Sequence, residues 1–349
     1  MIDHQLLEAQ AGVRAQRRTM DQIFTLKTTV ETRRELSKPL FIYLIDFTKA
    51  YDPVNRELLW KVCLKYGTSE KIVTLLKTLY KNSRAKARIE GELSDSFLIE
   101  TEVLQGGIPS PILFNVLFDF IIRKVVEEAG VDGVQFSYGS NDLYHDTREN
   151  YENFNILALL YADDLVAMCE TADDLETYKR PFEKVTQEFG LTMSVRKTCI
   201  MTLQQFEEDH NRKLLKDREV VFPGFDITIR NQKIETVDSF NYLGCRVTSD
   251  QRPDSGISTR LSKVATVFNM LRHVIWSRKS IPIKSRLKVF RACVLRVLLC
   301  GSETWSITSA HERRINTFYM KCLRTVIGVN LGDRMPNEKI LEITGQPPI

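Results

Sequence analysis

Two adjacent carboxylates, Asp163 and Asp164, lie between the apolar runs 157–160 and 165–168. An apolar run, a tight reversal and a second apolar run predict a β-hairpin with the two aspartates at its tip. Neighbouring like charges repel each other, and an ordinary turn favours Asn-Gly or Asp-Gly at these positions. A divalent cation removes this repulsion, and oxygen ligands suit magnesium. A metal site at the tip therefore competes with a simpler interpretation, a solvated turn.

A third carboxylate, Asp46, directly follows the continuous apolar run 40–45. Such a run predicts a buried strand. A carboxylate at the end of a buried strand is placed to meet the tip of the hairpin. Together with Asp163 and Asp164 it could hold a pair of metal ions, which clamp the attacking and leaving oxygens in phosphoryl transfer. The second segment therefore shifts the balance from the solvated turn towards a metal site.

Further segments accompany these aspartates in a fixed order, and in that order the chain resembles the reverse transcriptases of non-long-terminal-repeat (LINE-like) retrotransposons. The resemblance covers nearly the whole chain. Its segments are Gln10-Ala11-Gly12-Val13-Arg14 with 17–24 (fingers block), Asp46 to Asp52 (first catalytic motif), Gln105-Gly106-Gly107 to Asn115 (template and nucleotide motif), Tyr161-Ala162-Asp163-Asp164 (metal-binding hairpin), 190–198 (palm motif), Phe240-Asn241-Tyr242-Leu243-Gly244 (primer grip) and 301–324.

The resemblance implies an α+β fold, a right-hand polymerase whose palm is an antiparallel sheet with an RRM/ferredoxin-like core. Alternating strands and helices followed by a helical stretch from Ile257 agree with this architecture. We expect partial fingers over 1–37 and a palm with the catalytic motifs and primer grip over 38–254. A basic helical thumb and C-terminal region is expected over 255–349.

Local signals predict the elements that position these residues. Asp52-Pro53 and Ser110-Pro111 each combine a capping side chain with a proline suited to a first helical turn. Pro181 should kink or split a helix predicted over 172–189. Gly130 is expected to end the helix that follows Ser110. A hairpin is expected over 84–103, and strands near 198–203, 220–229, 233–237 and 240–248.

By resemblance, Asp46, Asp163 and Asp164 are the catalytic and metal-binding residues. They would hold two Mg²⁺ ions, with Mn²⁺ as the alternative, and Asp164 would be the most dispensable of the three. Tyr51 would be the steric gate that blocks a ribose 2′-hydroxyl group. Its competing interpretation is a core aromatic residue.

The resemblance also assigns contacts to dNTPs, an RNA template and a DNA primer. On the nucleotide side, Phe47 would offer a backbone amide to the phosphates and Ala50 would line the same pocket. Gln105 would orient template and nucleotide, and Lys197 is either a nucleotide contact or an ordinary exposed lysine. The primer and template contacts would be Arg14, Arg17, Arg18, Gly106, Tyr242, Leu243, Gly244, Lys284, Arg286, Lys288 and Arg291.

Charge is distributed unevenly along a chain whose formal net charge is +4. Residues 255–330 contain 14 Lys or Arg and only two acidic residues, Glu303 and Glu312, so the rest of the chain is acidic overall. A basic lobe on an acidic body indicates a grip on nucleic acid. Solvated helix faces are the alternative, although such faces usually mix both signs.

Composition excludes several other classes of protein. No apolar run reaches the length of a transmembrane helix, and the N-terminal residues lack the basic and apolar regions of a secretory signal. The seven cysteines are scattered without a Cys-x-x-Cys pair, which indicates neither a zinc site nor a disulfide framework. We therefore expect an intracellular protein of the nucleus or cytoplasm, with no membrane partner.

The sequence also departs from the family pattern. Glu102 and Leu104 replace a glycine and an arginine ahead of Gln105, and the family's upstream fingers strands do not precede residue 10. These departures predict a fragment of an element, fully active as an RNA-directed DNA polymerase only within a longer protein. The competing hypothesis is a catalytically impaired remnant that binds nucleic acid without synthesis. The Tyr-Ala-Asp-Asp motif disfavours a third one, an RNA-templated RNA polymerase.

Overall fold

A computed structural model describes residues 2–99, 101–137, 153–203, 228–229, 232–249, 253–305 and 307–349. The chain forms two compact units, Met1–Phe240 and Asn241–Ile349. The first unit contains a sheet that is antiparallel except for one parallel pair of strands, with helices packed against it, and the second unit is mostly helical. This arrangement confirms the α+β class. The division into fingers, palm and thumb at residues 37 and 254 stays a prediction.

The strands of the described residues mostly belong to the first unit. They are β1 (Leu40–Ile45), β2 (Arg84–Ala85), β3 (Arg88–Ile89), β4 (Glu92–Leu93), β5 (Phe97–Leu98), β6 (Val134–Ser137), β7 (Asn153–Ile156), β8 (Ala158–Tyr161), β9 (Asp164–Cys169), β10 (Cys199–Leu203), β11 (Thr228–Ile229), β12 (Gln232–Lys233), β13 (Glu235–Thr236), β14 (Ser239–Tyr242) and β15 (Cys245–Thr248).

Five of these strands form the central sheet, in the order β13-β10-β1-β9-β8. The middle strand β1 pairs antiparallel with both neighbours, so that Ile45 lies opposite Leu165 of β9 and Leu44 lies opposite Cys199 of β10. Because the pairing is antiparallel, the next position beyond Ile45, Asp46, comes level with Asp164. The sheet therefore brings distant parts of the chain to one end of β1.

The α-helices surround this sheet in the first unit and make up most of the second. They are α1 (Thr19–Glu35), α2 (Arg56–Lys65), α3 (Glu70–Tyr80), α4 (Ser110–Ala129), α5 (Ala172–Glu188), α6 (Pro253–Met270), α7 (Ile283–Val289), α8 (Arg296–Leu299), α9 (Ser309–Ile327) and α10 (Asn337–Thr344). Short 3-10 segments span Ile2–Gln5, Ser302–Thr304 and Leu331–Asp333, and π-helical segments span Arg272–Trp276 and Phe290–Leu295.

Both faces of β1 are covered, which explains its uninterrupted apolar sequence. Phe41, Tyr43 and Ile45 belong to a core that includes residues of α4 and α5. Ile42, on the opposite pleat, is fully buried as well, and α1 packs against β8 and β10. A rigid, doubly covered strand thus holds Asp46 at its end.

Both predicted helix starts were wrong in detail. Helix α2 begins at Arg56 with Asn55 as its cap, because Asp52 donates its backbone N–H to Lys49 in a preceding turn. Helix α4 includes Ser110 in its first turn, and the Ser110 hydroxyl donates to the carbonyl of Leu104 instead of capping the helix. The local cap signals located these helices, but tertiary hydrogen bonds decided their first residues.

Of the two outcomes predicted for Pro181, the split did not occur, because α5 runs without interruption from Ala172 to Glu188, and the kink stays a prediction. A proline inside a helix costs about 3 kcal/mol. The buried side chains around it, Tyr178, Phe182 and Val185 among them, each contribute about 1.5–3 kcal/mol of hydrophobic stabilisation. Burial of that face therefore outweighs the lost hydrogen bond.

The other local predictions agree with the structure where it describes the chain. Gly130 ends α4 in a left-handed conformation with φ 61. The strands expected near 198–203 and 240–248 are β10 and the β14–β15 pair, and the hairpin over 84–103 turns at Glu90 and Gly91 between β3 and β4. Within the strand expected over 220–229, residues 220–227 lie outside the described part of the chain.

The second unit has its own core, built from aromatic residues of successive helices. Phe268, Trp276, Phe290 and Tyr319 form a chain of ring contacts with centroid distances of 5.2 to 6.5 Å. The helical reading from Ile257 onward is confirmed, with α6 beginning at Pro253. Across the described helices of both units, none is at once long enough and apolar enough to traverse a lipid bilayer.

Candidate active site

The predicted hairpin exists, with Asp163 in its turn and Asp164 as the first residue of the strand that follows. Strands β8 and β9 pair antiparallel with Tyr161 opposite Asp164, which leaves Ala162 and Asp163 as the turn. Ala162 has φ 55, a left-handed conformation that costs a residue with a β-carbon about 1–2 kcal/mol. The tip is therefore a strained turn that other contacts must stabilise.

Asp46 joins the hairpin tip from the end of β1, and the electrostatics of Asp164 reflect this. Burial of the Asp164 carboxyl is the largest of the causes that raise the pKa of Asp164 from 3.8 to about 6, and the charges of Asp163 and Asp46 are the others. The charge of Lys197 lowers it. The Asp164 residue is nevertheless exposed in part of its surface, since it counts among the exposed residues of the chain. The charges of Asp163 and Asp46 therefore both reach Asp164 at this end of the sheet. Their convergence on one divalent-ion site stays a prediction.

The carboxylates influence one another's electrostatics at Asp164, but they do not form a preformed metal site. Among the described residues, no group of three His, Cys, Asp or Glu side chains is arranged as a preformed metal site. The Oδ2 atom of Asp46 is buried and has no hydrogen-bond donor. Lys197 Nζ lies 3.2 Å from that atom, an ion-pair distance without the direction of a hydrogen bond.

An oxygen-binding cation fits these side chains by their chemistry. The three carboxylates offer only hard oxygen donors, which suit Mg²⁺ and related ions. One exposed lysine beside Asp46 leaves the three carboxylates with a net negative charge, which a divalent cation would neutralise. Lys197, whose side chain is 70% exposed, supplies positive charge next to Asp46 from the segment 190–198.

That segment is fixed beside Asp46 through its backbone. Ser194 donates its N–H to the carbonyl of Asp46 at 2.8 Å, and Asp46 donates its own N–H to the hydroxyl of Thr198 at 3.4 Å. These bonds explain why Lys197 reaches the carboxylates although it lies far from them in the sequence. Thr198 had no predicted role of its own.

Replacing Asp164 by Asn should stabilise the protein at neutral pH when divalent ions are absent. The raised pKa means that ionising Asp164 opposes folding, so the parent loses stability as the pH rises from about 4 to about 6. The gain should stay below about 1 kcal/mol, because solvent screens a partly exposed group. Thermal unfolding of both proteins in EDTA at pH 4 and pH 7.5 checks this. An equal difference at both pH values would contradict it.

Tyr51 lies next to the aspartates and also against the core. Its ring stacks on Phe114 with centroids 4.4 Å apart. Burial and the charge of Asp163 both raise the pKa of Tyr51, which places the hydroxyl group within the electrostatic reach of the hairpin tip. The gate and the core-aromatic interpretations are therefore both compatible with its position.

The other predicted nucleotide contacts fall into two groups. The side chains of Phe47 and Ala50 are buried, and the Phe47 ring packs against Phe118 and Phe182, so only their backbones could face a nucleotide. Gln105 is exposed, and its Nε2 donates to Asp52 Oδ1 at 3.1 Å. Asp52 therefore orients Gln105, a role that its sequence position as a predicted helix cap did not suggest.

Gly106 follows Gln105 in a left-handed conformation with φ 84, and a β-carbon there would meet no atom within 4 Å. The space beside Gly106 is open, so glycine is not required there to avoid a clash. What glycine provides is the left-handed backbone conformation. A side chain would fit that space but would strain the backbone. The template-contact role of Gly106 stays a prediction.

The arginines of the first block differ in how freely they can reach a ligand. The Arg14 guanidinium donates to Asp3 and to the carbonyls of Leu7 and Gln10, so its hydrogen-bonding groups hold the N-terminal segment together. Arg17 pairs with Glu8, whereas the Arg18 residue is exposed. Of the three predicted template contacts, Arg18 has the most accessible side chain.

The predicted contacts of the second unit divide in the same way. Arg286 is buried and donates to the carbonyls of Val326 and Arg278, so it braces the helices of its own unit. Lys284, Lys288 and Arg291 are exposed. The predicted contact of Arg286 with primer or template therefore needs correction, because its guanidinium is buried within its own unit.

The primer-grip segment forms the turn between β14 and β15. Leu243 and Gly244 both have positive φ, 47 and 80 respectively, and Arg260 Nη2 donates to the carbonyl of Gly244 at 2.8 Å. The side chain of Tyr242 is buried. The contact of Tyr242 with a primer stays a prediction, because its ring is buried in the structure.

Comparison with known proteins is consistent with this geometry. Residues 1–247 match the family profile described as reverse transcriptase (RNA-dependent DNA polymerase). The chain is similar to the Pol polyprotein of the type-1 retrotransposable element R2 of Nasonia vitripennis, with 26% identity over 222 residues, or 63% of this chain and 19% of the relative. The R2 polyprotein of Popillia japonica is 20% identical over 318 residues, or 90% of this chain and 46% of the relative.

Two further similarities extend over most of the chain. The RNA-directed DNA polymerase of the mobile element jockey of Drosophila funebris is 19% identical over 91% of this chain and 32% of its own length. A solved structure of telomerase from Candida albicans with a fragment of telomeric RNA aligns with a TM-score of 0.46 and 10% identity, over 97% of this chain and 54% of that chain. The chain spans less than half the length of these retrotransposon relatives.

Proposed function

Because this chain belongs to the reverse transcriptase (RNA-dependent DNA polymerase) family, we propose that it is the polymerase portion of a LINE-like retrotransposon protein. It would copy an RNA template by adding dNTPs to the 3′-hydroxyl group of a DNA primer. The observation that carries this proposal is the register of β1 and β9, which sets Asp46 level with Asp164, where the charges of Asp46 and Asp163 both raise the pKa of Asp164.

Each carboxylate has a distinct place in the proposed mechanism. Asp46 and Asp163 would hold the divalent ions most directly, and Asp164 would complete the negative surface. When bound, Mg²⁺ supplies charge neutralisation for the transferred phosphoryl group and lowers the pKa of the attacking hydroxyl group. The raised pKa of Asp164 means that this carboxyl must give up a proton before it can act as a ligand.

The residues around the aspartates would select and orient the substrate. Gln105, held by Asp52, would contact the template base or the nucleotide, and Tyr51 would stand where the sugar lies. Lys197 would approach the phosphates from the segment fixed to Asp46. In this arrangement catalysis consists of positioning and charge neutralisation, without a histidine.

Primer extension tests the proposal directly. The full 349-residue chain is incubated with a DNA primer on an RNA template, the four dNTPs and MgCl₂ or MnCl₂. We expect extension that requires both the divalent ion and the RNA template. Tight binding of the primer–template without extension in either ion would favour the alternative, a remnant that binds nucleic acid without synthesis, which the substitutions at Glu102 and Leu104 support.

Removing the exposed cations of the second unit should weaken binding through phosphates. Replacing Lys284, Lys288 and Arg291 together by Ala should reduce the magnitude of the slope of log affinity against log salt by up to about 2 to 3, because each neutralised phosphate releases counterions. Binding of a primer–template duplex at several salt concentrations gives this slope. Sequence preference should not change, since phosphate contacts carry no base information.

A control variant with the same change in net charge separates local phosphate contacts from the electrostatic field of the whole protein. Lys61, Lys71 and Lys81 are exposed in the first unit, and replacing them together by Ala also removes three charges. We expect this control to alter the slope less. If both triple variants gave the parent slope, neither group of cations would face the duplex.

A further inference from the structure

Gln10 is a fully buried polar residue whose side chain contacts the turn of the aspartate hairpin. Its exposed fraction is 0%. The Oε1 atom accepts the N–H of Ala162 at 3.0 Å and the N–H of Gly12 at 2.8 Å. The Nε2 atom lies 3.3 Å from the carbonyl oxygen of Ala162. One amide group therefore engages both polar backbone atoms of Ala162.

The backbone around Gln10 runs along the outer edge of the central sheet. Leu160 of β8 donates to the carbonyl of Ala9 at 2.9 Å, and Ala11 donates to the carbonyl of Leu160 at 2.8 Å. Without this segment, β8 would be an edge strand with unpaired backbone groups. The segment thus fixes the strand that leads into the turn, and Gln10 fixes the turn itself.

Gly12 allows this close approach. A β-carbon at Gly12 would lie 2.2 Å from the backbone nitrogen of Ala162, a distance that no side chain tolerates. The carbonyl of Gly12 accepts a hydrogen bond from Asn115 Nδ2 at 2.6 Å, and Asn115 is itself buried in α4. The N-terminal segment is therefore clamped between α4 and the hairpin.

Gln10 acts on the residue whose conformation aims the aspartates. Ala162 has φ 55, in a region where residues with a β-carbon are uncommon and surrounding contacts must hold them. Asp163 and Asp164 follow Ala162 directly, so a change at Ala162 would rotate the turn and separate the carboxylates from Asp46. Two hydrogen bonds from a rigidly buried amide oppose that change.

We propose that Gln10 is a positioning residue that holds the Ala162 turn so that Asp163 and Asp164 face Asp46. The inference rests on the proposed function in one respect: the alignment would serve the binding of divalent ions. Gln10 touches neither substrate nor reacting atoms in this role. It acts through the backbone of Ala162, which lies 152 positions away in the sequence.

The first test needs no variant and no activity. The N–H of a residue at a hairpin tip normally exchanges rapidly with solvent, whereas the bond to the buried Gln10 should protect the Ala162 amide. Hydrogen exchange of the full chain, measured at residue level, should show Ala162 exchanging at least about tenfold more slowly than an unprotected turn amide. An unprotected Ala162 amide in the parent protein would overturn the proposal.

The second test compares Gln10 with another buried glutamine, Gln22 of α1. Gln10→Met keeps an unbranched chain of similar length and removes the two side-chain hydrogen bonds with Ala162 and the one with Gly12. Gln22→Met is the matched control, because Gln22 is also buried and its side chain donates to the carbonyl of Ala9 in the segment that contains Gln10, and not to Ala162. Mn²⁺ binding to the full chain, measured by calorimetry, should weaken about tenfold in Gln10→Met and remain near the parent value in Gln22→Met.

The two readouts separate failure of this proposal from failure of the proposed function. Equal Mn²⁺ affinity of the parent and Gln10→Met would overturn the positioning role even if the enzyme is active. If the parent binds no Mn²⁺ and extends no primer, the proposed function fails, and Ala162 exchange still decides whether Gln10 holds the turn. Adding Ala162→Gly to Gln10→Met should restore part of the binding, because glycine adopts positive φ without strain.

Discussion

Replacing Asp163 by Asn should abolish nearly all primer extension while leaving binding of the primer–template almost unchanged. The substitution removes one negative charge at the hairpin tip and preserves the shape of the side chain. Because Asp163 acts on Asp164 and Tyr51 electrostatically, its charge reaches both the metal-binding and the sugar side of the site. A loss of roughly 10³-fold, equivalent to about 4 kcal/mol of transition-state stabilisation, is expected.

A second pair of adjacent aspartates in this chain provides a matched control. Asp173 lies in the first turn of α5 beside Asp174, where negative charge is favourable near a helix N-terminus. Asp173→Asn makes the same chemical change in an exposed residue away from Asp46. Steady-state extension rates and primer–template affinity of both variants give the comparison. Parent-like extension by Asp163→Asn would exclude Asp163 as an essential metal ligand.

Replacing Tyr51 by Ala should increase ribonucleotide incorporation relative to deoxynucleotide incorporation by about 10- to 100-fold, since a lost steric exclusion is worth a few kcal/mol at most. The ring stands over Phe114 and near Asp163, where it would meet a 2′-hydroxyl group. The measurement is the ratio of kcat/KM for an rNTP and the matching dNTP in an active preparation.

Two further measurements separate the gate from a core role. Tyr51→Phe keeps the ring and removes the hydroxyl group, so it should retain the preference for dNTPs. Loss of the stacking contact with Phe114 should lower the thermal stability of Tyr51→Ala, and this alone would not change the rNTP to dNTP ratio. An unchanged ratio together with a lower unfolding temperature would assign Tyr51 to the core.

Within the described chain, the local sequence was most informative where the prediction concerned a single strand or hairpin. The apolar run before Asp46 predicted a buried strand, and the two apolar runs around Asp163 predicted a hairpin, because each pattern follows from burial of that segment. Both predictions are confirmed. The order of the motifs also identified the family, since each motif is a local string of residues.

Predictions failed where a distant partner competed with a local signal. Ser110 looked like a helix cap, but its hydroxyl donates to Leu104. Arg286 was predicted to contact primer or template, but its guanidinium donates to carbonyls inside its own unit. Pro181 looked like a break, but the buried face of α5 outweighs it. In each case the deciding contact comes from tertiary packing.

The sequence by itself determined which side chains could carry the chemistry, three aspartates with oxygen ligands, and which strands present them. Only the tertiary structure decided their alignment. It set Asp46 level with Asp164 through the register of β1 and β9, and it placed the buried amide of Gln10 on the backbone of Ala162. A sequence pattern reports the preference of a segment for burial, whereas register and a buried hydrogen bond depend on residues more than a hundred positions apart.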